Sequence, residues 1–337
     1  MNSRIRSAVP YAVSYAVFAI AGTLFAGAAL AQTKKPLLPD GYPARPVRLL
    51  VSTTAGGGLD IVCRALAIKL GERTGASFIT DNQAGANGAI AVNTIAAAVP
   101  DGYNILCTGG SMIINAVFKR FERDVRVTLT PLVSLSSAYY FLISPNHMPG
   151  NLKEFIAQVK KSPGKYNYGS GGVGSVIHLG LEMFEAGAGL DMIHVPYKGV
   201  TQVNIDLAGG RLDVALVSLS GIQSVRAGKA RLLATSMPQR HPDHPNLPAL
   251  AEFIPGYEVA NTYMLYAPIA TPAPIVTALN RESIQVLAGQ DMKDKLAADG
   301  ATSTPPSTPD ELKKLMAAEY QRWEMVINKA GVKAADD

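Results

Sequence analysis

Two glycine-rich turns carry the most chemistry in this 337-residue chain, Ala55-Gly56-Gly57-Gly58-Leu59-Asp60 and Gly169-Ser170-Gly171-Gly172-Val173-Gly174-Ser175. Each follows an extended apolar segment and opens a helical pattern. A helix start presents unpaired N–H donors and the positive end of the macrodipole, and glycine lets a ligand approach the backbone, so each turn reads as an anion cradle. Two cradles on separate lobes would clamp one small anion. Asp60 stands where a carboxylate caps helix N–H groups, with orientation of a ligand as its second role. His178, three residues after Ser175, either faces the cleft and bonds an anion or packs beneath the loop.

Other chemistries find less support. None of Ser111, Ser170, Ser175 or Ser220 lies in Gly-x-Ser-x-Gly, so the nucleophile elbow of a hydrolase is missing. No phosphate loop of the Gly-x4-Gly-Lys-Ser/Thr type occurs. Gly169-x-Gly171-x-x-Gly174, with Asp191 further on, formally matches a dinucleotide fingerprint, but the strand before it is short and begins at Pro163-Gly164. His241-Pro242-Asp243-His244 has ligand-like spacing in a proline-broken loop, which reads as a solvated pair. No cofactor and no metal are therefore expected. An exported hydrolase or isomerase acting on a carboxylated substrate is the competing function, and a ligand sensor docking on a membrane protein is a third.

The elements that must hold the turns follow from the pattern. Arg4 and Arg6, an apolar stretch over 12–28 and Ala29-Leu30-Ala31 make a signal peptide over 1–31, with a periplasmic mature chain starting at Gln32. Its removal takes two arginines, so 31 basic against 26 acidic residues becomes 29 against 26, too mild an excess for a nucleic-acid partner. The rest is long enough for two lobes. Strands at 47–51, 77–80 and 103–108 alternate with helices from 60 and before Pro100, which gives a parallel α/β sheet with ligands at its carboxyl ends. A second α/β unit runs through 166–168, a helix to Phe184, 192–195 and 214–217, with a further strand at 231–235. Two helical patterns, 275–287 and 310–330, return to the first lobe. Cys63 and Cys107 both fall on apolar faces and read as buried thiols, a disulfide being the alternative.

The ordered segments Val51 to Ile61, Asn82 to Gly88, Pro100 to Tyr103, Tyr168 to Leu179, His194 to Gly199, Asp206 to Gly210, Leu247 to Glu252, Ala267-Pro268 and Glu319 to Trp323 resemble Bug-type receptors. These are the periplasmic solute-binding proteins of tripartite tricarboxylate transporters, and the resemblance spans 42–332. It implies an α/β, two-lobed periplasmic binding protein of type II, a Venus flytrap with two parallel-core domains and two crossover strands. Domain 1 would comprise 42–136 plus 263–337 and domain 2 residues 137–262, with hinges near 137–139 and 260–263. The implied partners are a small carboxylate and membrane permease subunits, the receptor itself being a monomer. The implied ligand contacts are Thr53, Thr54, Ala55, Gly57 and Asp60 on one lobe, and Ser170, Gly172, Gly174, Ser175, His178, Tyr197 and Thr201 on the other. Ser52 and Thr53 stand where the family has Pro and an aromatic ring, which removes a cover and adds two hydroxyls. Leu59, Val173 and Ile177 also replace polar residues, so a larger or partly apolar acid fits as well as a compact dicarboxylate.

Overall fold

The computed structural model describes residues 37–333 apart from Lys198 and Asp299, so the expected signal peptide lies outside the described residues. The buried apolar run β1 (Val47–Val51) leads through the first glycine turn into α1 (Gly58–Thr74). That helix stops where Gly75 turns left-handed, at φ 74°, and donates its N–H to the Gly71 carbonyl, a conformation glycine adopts without a Cβ penalty. There follow β2 (Phe78–Asn82), α2 (Ala89–Ala96), β3 (Asn104–Thr108), α3 (Ser111–Val117), α4 (Val125–Thr128) and the long β4 (Leu129–Tyr139).

After Tyr140 the chain builds a second set: β5 (Phe141–Pro145), α5 (Leu152–Lys160), β6 (Asn167–Ser170), α6 (Val176–Ala188) and β7 (Ile193–Pro196). It continues with α7 (Val200–Ala208), β8 (Val214–Val217), α8 (Gln223–Arg226) and β9 (Ala230–Thr235). It then returns as β10 (Ala260–Pro268), α9 (Ala273–Leu287), α10 (Gln290–Ala298), β11 (Ala301–Ser303) and α11 (Pro309–Ala330).

Two sheets result, ordered β11-β4-β10-β3-β1-β2 and β7-β6-β8-β5-β9. In each, three strands run parallel: β2, β1 and β3 in the first, β7, β6 and β8 in the second. Antiparallel strands extend both cores. β4 and β10 pair antiparallel from Tyr139↔Ala260 to Leu129↔Pro268, so the two segments that connect the sheets lie side by side. This is the two-lobed fold with two crossover strands.

Alternation along the strands divides the core. Leu50 and Leu106 face a cluster that takes in α2, α3 and α11 and runs on without a break into Tyr168 and Leu216 of the second sheet and Phe184 of α6. Leu49, Val51, Ile105 and Cys107 face α1 and α9. A smaller cluster joins Phe141, Ala215 and Val217 to Val203 and Leu207 of α7. Truncating any of the wholly buried leucines to alanine costs about 2–5 kcal/mol.

Several expectations need correction. Cys63 and Cys107 are joined, with Cα atoms 6.6 Å apart, so the thiols read as free form a disulfide. It ties α1 to β3 beside the first turn. The extended stretch expected over 132–143 is two strands, parted at Tyr140, whose N–H bonds Ser236 Oγ at 2.8 Å. Three helices and a short strand, not two helices, follow β10. α10 carries Asp291, Lys293, Asp294 and Lys295 and buries only Met292 and Leu296, too thin an apolar stripe to stand out.

Candidate functional site

The first turn is held from within. Beyond β1, Ser52 is 4% exposed and donates its Oγ–H to Thr108 Oγ1 at 2.9 Å, so this hydroxyl, expected to be gained for a ligand, is spent on bracing β1 against β3. Thr53 accepts a bond from Asn82 Nδ2 on its carbonyl at 3.1 Å, while its buried Oγ1 has no partner. Thr54 and Ala55 are exposed. Gly56 is left-handed at φ 82° and donates its N–H to Asp60 Oδ2 at 2.9 Å. Asp60 Oδ1 accepts from Arg64 at 2.8 Å and Asn82 at 3.0 Å. Burial would raise the Asp60 pKa, but the Gly56, Asn82 and Arg64 bonds outweigh it and hold it below the ordinary carboxylate value.

Asp60 is thus a fixed anion that shapes the turn, with both oxygens engaged and 3% exposure. Gly57 is the N-cap and offers no side-chain bond. The N–H groups that open α1, from Gly57 to Leu59, therefore have no intrahelical acceptor, and earlier in the same turn the Thr53 hydroxyl is buried without a partner.

The second turn is built differently. Ser170, at the end of β6, is wholly buried, and its Oγ lies 2.7 Å from His194 Nε2 and 3.2 Å from both the carbonyl and the amide of Gly172. Gly174, left-handed at φ 77°, donates its N–H to His178 Nδ1 at 3.1 Å. That leaves His178 Nε2 to face Glu182 at 3.4 Å, and the phenol of Tyr168 donates to the same Glu182 oxygen. The His178 and His194 rings stack with centroids 3.9 Å apart, and Tyr168 lies 5.0 Å from His194. Burial, and then His178, push His194 down to about 4. Ser175 caps α6 by accepting the His178 N–H at 3.2 Å.

His178 is 3% exposed, so of its two expected positions it takes the one beneath the loop. Ser170, Gly172 and Gly174 likewise turn their polar groups inward. The N–H groups of Val176 and Ile177 at the start of α6 have no intrahelical acceptor. Tyr197 is fixed through its hydroxyl to Asp206 at 2.8 Å and its N–H to the Ser170 carbonyl at 3.0 Å. Thr201 is exposed in the first turn of α7, and with Tyr197 it borders an open hollow.

The β2–α2 connection brings the two turns into one neighbourhood. Gly85, Ala86, Asn87 and Gly88 all have positive φ, and a Cβ on Gly88 would stand 3.3 Å from Ser52 of the first turn. Asn87 Nδ2 donates to the Gly174 carbonyl of the second turn at 3.3 Å, and Asn115 holds the Asn87 carbonyl at 2.9 Å. Arg120 reaches the Val173 carbonyl at 3.5 Å. A Cβ on Gly174 would meet the Phe118 ring at 2.8 Å, so only glycine admits this approach. Asn87, Asn115 and Arg120 were missed by residue-level reading. The sole signal was the Gly85-Ala86-Asn87-Gly88 run in the loop after β2.

A separate cavity of about 310 Å³ lies behind β4 and β10, and none of the residues expected at the site lines it. Among the described residues no group of three or more His, Cys, Asp or Glu side chains is placed to hold a metal, and no helix is long and apolar enough to cross a membrane.

Comparison with known proteins agrees with this geometry. Residues 62–332 match the family described as tripartite tricarboxylate transporter family receptor. Protein BugT of Bordetella pertussis is 30% identical over 327 residues, covering 94% of this chain and 98% of BugT. A structure of an R. palustris protein with adipate is similar at 31% identity and TM-score 0.79, covering 87% of this chain and 99% of that one. MatC from Rhodopseudomonas palustris with bound malate is similar at 26% identity and TM-score 0.74, covering 85% and 100%. A lobed pair of α/β sheets, two glycine turns facing one loop and these matches along the chain have one reading: the protein belongs to the tripartite tricarboxylate transporter family of receptors, of the Bug type.

Proposed function

We propose that this receptor captures a small carboxylate-bearing solute between its two glycine turns in the periplasm and hands it to membrane permease subunits of a tripartite tricarboxylate-type transporter. The observation that carries the reading is the opening of α1. Its N–H groups have no intrahelical acceptor, the helix dipole favours an anion there, and the Thr53 hydroxyl, on the chain that leads into them, has no partner. Thr53, Thr54, Ala55 and Gly57 are the proposed first-lobe contacts. Ser175, Tyr197 and Thr201 are the second-lobe contacts, with Asp60, Ser170, Gly172, Gly174 and His178 shaping the two turns. The adipate and malate held by two relatives fit the same ligand class.

In this reading the lobes are 42–136 plus 263–337 and 137–262, turning about Ser137–Tyr139 and Ala260–Tyr263. A solute contacting both lobes favours the closed state by its differential affinity, and no bond is made or broken. Ser170 and His194 approach at 2.7 Å, the geometry of a nucleophile and its base, but Ser170 is wholly buried and out of a substrate's reach, which weighs against a hydrolase.

The test is thermal melting of refolded protein against di- and tricarboxylates, aromatic acids, amino acids and neutral controls. A solute at a hundred times its dissociation constant stabilises the fold by about 2.7 kcal/mol. A shift confined to carboxylates is expected. A shift with neutral solutes alone overturns the reading.

A further inference from the structure

The cavity behind the crossover strands has features that the cleft does not explain. It holds about 310 Å³, at the low end of the roughly 300–1,000 Å³ typical of small-molecule sites. β4 and β10 supply one wall and α3 and α11 the other. One hydroxyl on this lining is poorly served. Tyr266 on β10 is 2% exposed and its phenol reaches only the Met264 thioether, at 3.2 Å, a weak acceptor. A buried hydroxyl without a full partner costs about 1–3 kcal/mol, so Tyr266 favours an occupant that completes its bonding.

The charge around the cavity limits what that occupant is. Arg322 is already committed to Glu319 at 3.2 Å and to the Glu258 carbonyl, and the Glu258 carboxylate takes the Tyr139 phenol at 2.9 Å. One guanidinium stands against two carboxylates, so no spare cation recruits an anion. Met316, Leu312 and Trp323 give an apolar side to a lining that also carries the hydroxyls of Ser137, Thr262, Thr304 and Ser307.

We propose that this cavity is a second binding site, for a neutral, ring-sized, mostly apolar molecule carrying a hydroxyl that bonds the Tyr266 phenol. Because its wall is made of the two strands that join the lobes, occupancy biases their bending and so the affinity of the cleft, and the coupling is reciprocal. The proposal stands apart from the carboxylate reading of the glycine turns.

Trp323 is the only tryptophan in the chain and lines the cavity, so its fluorescence reports occupancy directly. The full chain is titrated with benzyl alcohol, excited where the alcohol does not absorb, with benzoate as the charged molecule of similar shape. A saturable Trp323 shift is expected with benzyl alcohol. It should weaken about tenfold in Tyr266→Phe, which removes the phenol hydroxyl, and in Leu315→Phe, which fills the cavity from a position 43% exposed and so leaves folding intact even if the first variant does not fold. Benzoate bound at the glycine turns stabilises the protein without responding to either variant. No saturable shift, a shift equal in wild type and Leu315→Phe, or benzoate abolishing the shift by direct competition, rather than changing the alcohol's affinity to a limit as a coupled site does, overturns the proposal.

Discussion

The two glycine turns look alike in sequence and are held by opposite means. The first faces outward: a single carboxylate, Asp60, fixes it from its own helix, and the amides that open α1 remain free of intrahelical partners. The second faces inward, its Gly172 and Gly174 amides bonded to Ser170 and His178, which are backed by His194, Glu182 and Tyr168. One jaw has its opening amides, Gly57 to Leu59, without intrahelical partners above a lone carboxylate, and the other, though Val176 and Ile177 likewise lack intrahelical acceptors, closes the rest of its turn onto a buried polar stack. Similar glycine spacing therefore does not mean similar ligand contacts. What lies beneath the loop decides whether its N–H groups are available.

The largest expected effect separates the jaws by covalent chemistry. Reduction of Cys63–Cys107, or Cys107→Ser, opens a loop of 44 residues next to the first turn only. The chain-entropy account gives about 4 kcal/mol for a loop of that length. Melting with and without reductant should show a large fall, with solute affinity lost along with it. Unchanged melting would mean the first jaw needs no such tie.

A pair of substitutions is next. His178→Ala leaves a cavity and an unpaired Gly174 amide, and should cost about 3 kcal/mol of stability. Thr53→Val removes an unpartnered hydroxyl, so stability should hold within about 1 kcal/mol while solute affinity drops roughly tenfold. Denaturant melts and calorimetric titration of both variants decide the matter. If Thr53→Val destabilises and His178→Ala only weakens binding, the assignment of the two jaws is reversed.

The smallest effect is on pH. His194 titrates near 6.5 when unfolded and about 4 when folded, so the stability of its neutral form is complete above 6.5 and is lost as pH falls toward 4. Glu185 on the same helix as His178 works the other way. Burial is the main cause that lifts it to about 7, with Glu182 adding to the rise and the Met192 amide opposing it, so its contribution is complete below about 4.5 and lost as pH rises through 7. Each changes stability by at most about 1.4 kcal/mol per pH unit, and the two partly cancel between 4.5 and 6.5. His194→Gln should remove the acid-side loss and leave stability falling with rising pH over that window. Identical pH–melting curves for variant and wild type would show that His194 does not titrate over this window.

Both glycine turns, the apolar strands and the returning C-terminal helices were legible because each rests on local signals: a run such as Val47–Val51, a glycine at a helix start, a period of 3.6 in 310–330. The partners of the turns were not, because they arise from distance. His194 meets Ser170 only once β6 and β7 pair, and Asn87 meets Gly174 only once the lobes approach. Ser52 looked like a ligand hydroxyl until β3 placed Thr108 beside it. β11, at three residues, is too short to show any period.

The strand order has a consequence for how the chain is made. The second sheet comes from one unbroken stretch, β5 to β9, and can close as soon as that stretch exists. The first sheet cannot. β10, which sits between β3 and β4, is made after the entire second sheet, so until residue 268 is available β3 keeps an open hydrogen-bonding edge and β4 has no neighbour. The growing chain thus carries a template for wrong pairing through nearly half its length, and the late central strand is the step that removes it.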